Sequence, residues 1–360
     1  MNRTSAAALA VAAVIGIAGG TYTASVGIGT DDDGGRQAGE QKTSRTPSPT
    51  KSATNEETRP PSSPAQLLYM DAGQIHDGYT HVEFEDLDLR SVAALVRIRG
   101  GWLVVTSDGP DETALSGTVV TGSGEQTDLG SFEGSWDINA DGTQFVALFE
   151  DGYRVLTLSD ATEVDVDLSA PPGSTATATA AFAGDAVLTG WTASTEVTTL
   201  RTDLTTGRRK AVPTGQLTGW TASPRGLLMA GEVVDEATSC LEGGRVLGDH
   251  DDWWRTCEWR GYGPRPQYSA DGEQLLVVPA DTEGLGPTLY AVLDSETGRV
   301  TEEIAPPEST VAAEWGDNDE VFVLVQKGAR SGRAIYRCRL GEECTKEKES
   351  ATRLVLGAGV

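Results

Sequence analysis

Six bends recur at nearly even intervals, and they constrain this chain more than any other feature. Gly100-Gly101, Asp141-Gly142, Gly184-Asp185, Arg225-Gly226, Asp271-Gly272 and Asp317-Asn318 follow one another at 41, 43, 41, 46 and 46 residues. A period of that length holds about four short strands, a unit that cannot cover its own faces and must stack on copies of itself. An aromatic stands just before most of the bends, at Trp136, Phe182, Trp220, Tyr268 and Trp315, while Trp102 follows its own.

The stretch from Ser131 to Leu168 shows the unit most plainly. Phe132, Trp136 and Ile138 alternate with polar residues, and Asn139 to Gly142 supplies a turn with positive φ. Phe145 to Phe149 is almost wholly apolar, as a strand covered on both faces must be. Glu150-Asp151-Gly152 turns the chain again into Tyr153 to Leu158, and Val164, Val166 and Leu168 alternate with Glu163, Asp165 and Asp167 as an outer strand would. A four-stranded antiparallel meander is expected there. Segments with a period of 3.6 are almost absent, so the chain reads as all-β.

At PQYSADGEQLLVV followed by LDSETGRV, and again at GWTASPRGLLMAGEV and RTDLTTGRRK, the sequence resembles the TolB-like and WD40-like β-propellers. Blades of those proteins carry a P-x-W/Y-S-P-D-G pattern, an apolar strand and a D-x-x-T-G hairpin. The resemblance spans roughly residues 66 to 357 and implies a β-propeller of four-stranded antiparallel blades. It implies little about activity, since propellers host many functions on one scaffold. Gln66–Met70, Gln74–His76 and Thr80–Phe84 precede the first full repeat, and Thr352–Leu356 follows the last. Joining them predicts a seventh blade closed by pairing of N- and C-terminal strands, which would leave the ring without an open edge.

Residues 4 to 30 carry no charge, with Arg3 before the apolar run and Asp31-Asp32-Asp33 after it. That charge order belongs to a segment inserted with its N-terminus inside, read as a signal peptide or a single transmembrane signal anchor over 1–30. Cysteine does not follow the run, which argues against a lipoprotein, and the few residues ahead of it leave no room for a cytoplasmic domain. Residues 31–65, rich in Asp, Gly, Ser, Thr and Pro, read as a disordered linker, because they offer too little apolar surface to offset ordering entropy. The propeller domain is expected over 66–360.

The formal charge of −26 would repel nucleic acid and an anionic bilayer surface. Contact with a membrane is therefore expected through the N-terminal segment only, and the chain is expected outside the cytoplasm, anchored to the cell membrane or secreted. In that compartment four cysteines read as two local disulfides, Cys240 with Cys257 and Cys338 with Cys344, each adding about 2 to 3 kcal/mol by loop closure.

Between Val234 and Gly263 the repeat pattern lapses. There Trp253, Trp254, Trp259 and Tyr262 gather as a candidate partner-binding surface for an envelope protein or a glycan, with packing over the disulfide as the alternative. Asp249, His250, Asp251 and Asp252 in the same stretch read as a solvated acidic loop. Asp137, Asn139 and Asp141 match the first half of a D-x-N-x-D-G calcium loop, but Leu148 stands where the closing Glu belongs, so a plain turn accounts for them and no cofactor is expected, calcium being the weak candidate. His76 and His81 read as packing or surface residues.

G-x-S-x-G, phosphate-loop and dinucleotide motifs are absent, so no catalytic residue is assigned. The leading expectation is an exported, membrane-tethered protein-binding or scaffolding module of the cell envelope. Its rivals are a glycosidase- or lactonase-type propeller enzyme with a divalent cation in the central channel, and a self-associating structural domain.

Overall fold

A computed structural model describes residues 66 to 358 except 85–86, 108–113, 195, 213–217, 236–237, 249, 263–266, 283–285, 318 and 327–331. The expectations for residues 1–30 and 31–65 therefore lie outside the described residues. Within them the chain forms six antiparallel sheets. Sheet I pairs Leu354–Leu356 with Leu68–Asp71, followed by Gln74–Asp77 and Thr80–Glu83. Sheet II has six strands, Val92–Ile98, Gly101–Ser107, Ala114–Thr121, Gln126–Ile138, Gln144–Phe149 and Gly152–Thr157.

Sheet III runs through Thr175–Ala183, Ala186–Ala193, Glu196–Asp203 and Arg209–Val212, and sheet IV through Thr218–Ala222, Leu228–Asp235, Thr238–Arg245 and Trp254–Thr256. In sheet V both Trp259–Gly261 and Gln267–Tyr268 pair with Gln274–Pro279, followed by Tyr290–Asp294 and Val300–Ile304. Sheet VI comprises Thr310–Asp317, Glu320–Gln326, Arg333–Arg339 and Thr345–Ser350. Each sheet packs on the next in order, and Leu354–Leu356 packs both on sheet VI and on Val92–Ile98 of sheet II, so the sheets succeed one another in a ring.

The bends repeat because their hydrogen bonds repeat. Asn139, Ser223 and Ser269 each stand three residues before a glycine. The backbone carbonyl of each accepts the N–H of Gly142, Gly226 or Gly272 at 2.7–2.9 Å. The side-chain oxygen of each accepts the N–H two residues beyond the glycine, at Gln144, Leu228 or Gln274, at 2.9–3.1 Å. The three glycines adopt φ of 64, 66 and 75°, a region that costs an L-residue about 1–2 kcal/mol. The D-x-x-T-G hairpins are built alike. Asp203 and Asp294 accept the N–H and hydroxyl of Thr206 and Thr297, and Gly207 and Gly298 both take φ of 66°.

Six blades form rather than the expected seven, and no sheet is closed on itself. The difference lies in Gln126–Ile138, thirteen residues in one strand. Its first half pairs with Ala114–Val120 and its second with Phe145–Leu148, so the first two predicted repeats share a strand instead of parting at a turn. Gly130 and Gly134, at φ of 85 and 68°, bend it. The two halves of sheet II then enclose a common cluster that includes Leu103, Val119, Phe132, Phe145 and Leu156. Phe132 and Phe145 meet edge to face at 5.1 Å.

The outer strand expected at Val164 to Leu168 is also reduced. Only Glu163 bridges Leu156, and Val164 N–H bonds Val155 O at 2.8 Å. The C-terminal strand takes its place beside the N-terminal one as expected, with Tyr69, Met70 and Asp71 opposite Leu356, Val355 and Leu354.

Side chains from one sheet cap the inner edge of the next. Ser135 Oγ and Asp137 Oδ2 accept the N–H groups of Ala180 and Phe182 at 3.1 and 2.9 Å, and Tyr153 Oη accepts that of Thr179 at 3.1 Å. A sheet edge that meets a neighbour without such partners would leave buried donors unsatisfied.

Candidate functional site

The insertion residues are placed by local packing. Both disulfides form with the expected pairing, Cys240 to Cys257 and Cys338 to Cys344. Trp253 lies over Gly244, where an added Cβ would come within 2.3 Å of the indole. Trp254 spans sheets IV and V: its ring covers Gly243 and Gly298, and its Nε1 donates to Ser295 O at 3.0 Å. Trp259 is buried in the cluster between those two sheets. Tyr262 meets Tyr290 edge to face at 5.5 Å, and burial pushes its hydroxyl up to about 12. Each of these four rings thus packs in part on the protein itself, and Trp253, Trp254 and Tyr262 stay partly exposed. The side chains of Asp249 and His250 lie outside the described residues, and Asp251 and Asp252 sit exposed in a short 3-10 turn.

The half calcium motif is occupied by structure. Asp137 caps Phe182 of the neighbouring sheet, Asn139 Oδ1 accepts Thr143 N–H and Gln144 N–H at 2.8 and 2.9 Å, and Asp141 is exposed. Asp137 and Asn139 thus serve backbone groups of the chain itself. Among the described residues no group of three or more His, Cys, Asp and Glu is placed to hold a metal.

A groove of about 760 Å³ opens between the outer part of sheet II and sheet III. Phe132, Leu148, Val166, Leu168 and Trp191 give it an apolar floor. Trp191 is fixed there by Tyr153, edge to face at 5.1 Å, and by donating to Thr189 Oγ1 at 2.9 Å. Tyr153 is fixed in turn, donating to Gly190 O at 2.9 Å, and its burial raises the hydroxyl pKa despite the hydrogen bonds.

Around that floor stand Glu133, Glu150, Asp151, Glu163 and Asp167, against Arg154 in the lining and Arg209 beside it, whose Nη2 donates to Ser169 O at 2.7 Å. Arg154 is itself spoken for: it pairs with Asp151 and, at 3.7 Å, with Glu163, and lies 5.5 Å above the Phe149 ring. The hydrogen bond from Arg154 holds the Asp151 carboxyl below its usual range, and the hydroxyl and N–H of Ser169 do the same for Asp167. The groove is therefore anionic at neutral pH, with a rigid apolar base. Sequence reasoning missed it because its walls come from opposite ends of one unit and its floor takes Trp191 from the next.

Sheets of four or more antiparallel strands, stacked in sequence around a ring with the first and last described strands in one of them, define a β-propeller repeat protein. No protein-family model and no curated protein matches the chain. Among solved structures it is similar to a chain of the Mitotic Checkpoint Complex, at 10% identity over 87% of this chain and 90% of that one, with a TM-score of 0.49. It is similar to TolB from Acinetobacter baumannii at 15% identity, 72% and 67% coverage and a TM-score of 0.46. It also resembles the acylaminoacyl peptidase of Pyrococcus horikoshii at 17% identity and a TM-score of 0.38, over 49% of this chain and only 33% of that one. The blade assignment rests on the strand pairings themselves. Two disulfides are compatible with an extracytoplasmic location, and no helix among the described residues is long and apolar enough to cross a membrane.

Proposed function

We propose that this protein is an extracytoplasmic binding module, carried out of the cytoplasm by residues 1–30 and held off the membrane by the spacer 31–65. Its groove between sheets II and III receives an extended, basic segment of a partner protein. One observation carries the reading: five carboxylates ring an apolar floor, against Arg154, already paired with two of them, and Arg209, whose Nη2 is taken up by Ser169 O. Such a surface attracts Lys and Arg, whose aliphatic stems cover apolar surface while their charged heads meet the rim. The net charge of −26 adds long-range steering of a cationic partner.

The test is calorimetric titration of the full chain with a ten-residue peptide of alternating Lys and Val. Binding that weakens with added salt, and is lost in the double substitution Glu133→Lys with Glu150→Lys, supports the reading. Equal binding of an alternating Glu and Val peptide, or unchanged binding by the double variant, sinks it.

A further inference from the structure

The terminal sheet carries an arrangement of imidazoles that neither the fold nor the groove uses. His76 and His81 face each other directly across two strands of sheet I, and their Nδ1 atoms stand 2.8 Å apart. Because side chains alternate, Tyr69, His76 and His81 form one row on the face turned toward sheet VI, while Met70, Ile75 and Val82 are buried on the face turned toward sheet II. Tyr69 stacks on the His76 ring at 4.6 Å with only 5° between the planes, which holds that imidazole in place. His81 is exposed, so the pair is open to solvent.

We propose that His76 and His81 bind a copper(II) ion through their two Nδ1 atoms, with water in the remaining positions. Two nitrogens bound cis on a square at about 2.0 Å each stand about 2.8 Å apart, whereas a tetrahedral ion spreads them to about 3.3 Å. The separation set by the hydrogen bond between the rings equals the span of two cis positions of the square, so copper can replace the proton with little movement of either ring. Imidazole suits copper, and copper heads the affinity order of the divalent first-row metals.

In the metal-free pair one Nδ1 donates its proton to the other. On binding, that proton moves through solvent to the Nε2 of the same ring, so both Nδ1 lone pairs face the ion with no net loss of protons. Lys348 Nζ lies 5.5 Å over the Tyr69 ring. Asp71 and the Glu83 carboxylate, one row along the same face, offset the Lys348 charge for an arriving cation.

Because sheet I joins Leu68–Asp71 to Leu354–Leu356, an ion fixed between Gln74–Asp77 and Thr80–Glu83 of that sheet also stabilises the folded state by mass action. The full chain is titrated with copper sulfate at pH 7.5, followed by electron paramagnetic resonance and by thermal melting. The expected result is one tetragonal site per chain with nitrogen hyperfine splitting and a rise in Tm. Removing either imidazole by His76→Ala or His81→Gln is expected to weaken binding by about tenfold or more, while His250→Ala, the remaining histidine, leaves it unchanged. The exposed His81 position keeps its variant folded, which circular dichroism verifies. Copper binding of undiminished affinity in His81→Gln, or a signal lost in His250→Ala, overturns the proposal.

Discussion

Asp77 and Arg97 are joined across the junction of sheets I and II by two hydrogen bonds, from Nε at 2.9 Å and from Nη2 at 2.6 Å. Trp102 Nε1 donates to the same carboxylate at 2.9 Å, and Arg97 reaches on to Gln66 O at 3.0 Å. A planar guanidinium held bidentately sets orientation as well as distance, so this contact fixes how the terminal sheet meets its neighbour. Asp77→Ala is expected to destabilise the fold by about 1.5–3 kcal/mol, the range for hydrogen bonds to a charged group. Urea denaturation checks it, and a loss no larger than that of Asp141→Ala on an exposed turn would contradict it.

Acid should loosen the same sheet. Burial alone would raise the Asp77 and Asp71 pKa values. Arg97 and Trp102 at the first, and Thr352, Ser350 and Lys348 at the second, outweigh it and hold both below the usual range. A depressed native pKa gives stability that is complete above the unfolded value, near pH 4, and is lost as pH falls through the native value. Stability followed from pH 6 to pH 2 should therefore fall below about pH 4, and Asp77→Asn should flatten that fall.

Two glycines with the same backbone conformation should differ in their tolerance of alanine. Gly226 and Gly207 both have φ of 66°. A Cβ at Gly226 would lie 2.1 Å from the carbonyl carbon of Ala183 on the neighbouring sheet, while a Cβ at Gly207 would meet nothing within 4 Å. Gly207→Ala is expected to cost about 1–2 kcal/mol from the left-handed conformation alone. Gly226→Ala should cost clearly more, because one backbone must move, and parallel thermal melts separate the two.

Loss of either disulfide should lower stability by about 2–3 kcal/mol by loop closure, with the larger effect for Cys240–Cys257, whose separation is 17 residues against 6. Cys240→Ala with Cys257→Ala, and the corresponding pair at Cys338 and Cys344, measured under oxidising conditions, check the order.

Trp254→Ala should reduce stability by about 3 kcal/mol, in the range for truncating a packed aromatic, since the ring fills the space over Gly243 and Gly298. A variant of unchanged Tm that loses binding of a partner would instead assign that ring to recognition.

Much of the fold was legible because its bends are local chemistry. A residue with a side-chain oxygen three places before a glycine closes its own turn within six residues, as at Asn139, Ser223 and Ser269, so the repeat shows in composition. The disulfides were legible for the same reason of short range. The shared strand Gln126–Ile138 was not, since the unit reads as opening at Ser131, whereas a strand bent at Gly130 runs through that point and stays paired on both sides. Nor was the groove, whose Glu133 and Asp167 come from opposite ends of a unit and whose floor includes Trp191 from the next. The His76–His81 contact depends on strand register, which alternation restricts to one face but does not align.

The pairing of Leu354–Leu356 with Tyr69–Asp71 brings a further consequence for how this chain is made. Ser350 and Asp71, hydrogen-bonded at 3.0 Å, are 279 residues apart, and contacts between such distant partners form late. The chain must emerge as far as Leu354 before Leu68–Asp71 gains this neighbour, so Leu68 and Met70 wait until then with one flank bare. A product cut short before Leu354 would carry that bare flank permanently, giving proteases and chaperones a mark by which to tell unfinished chains from finished ones.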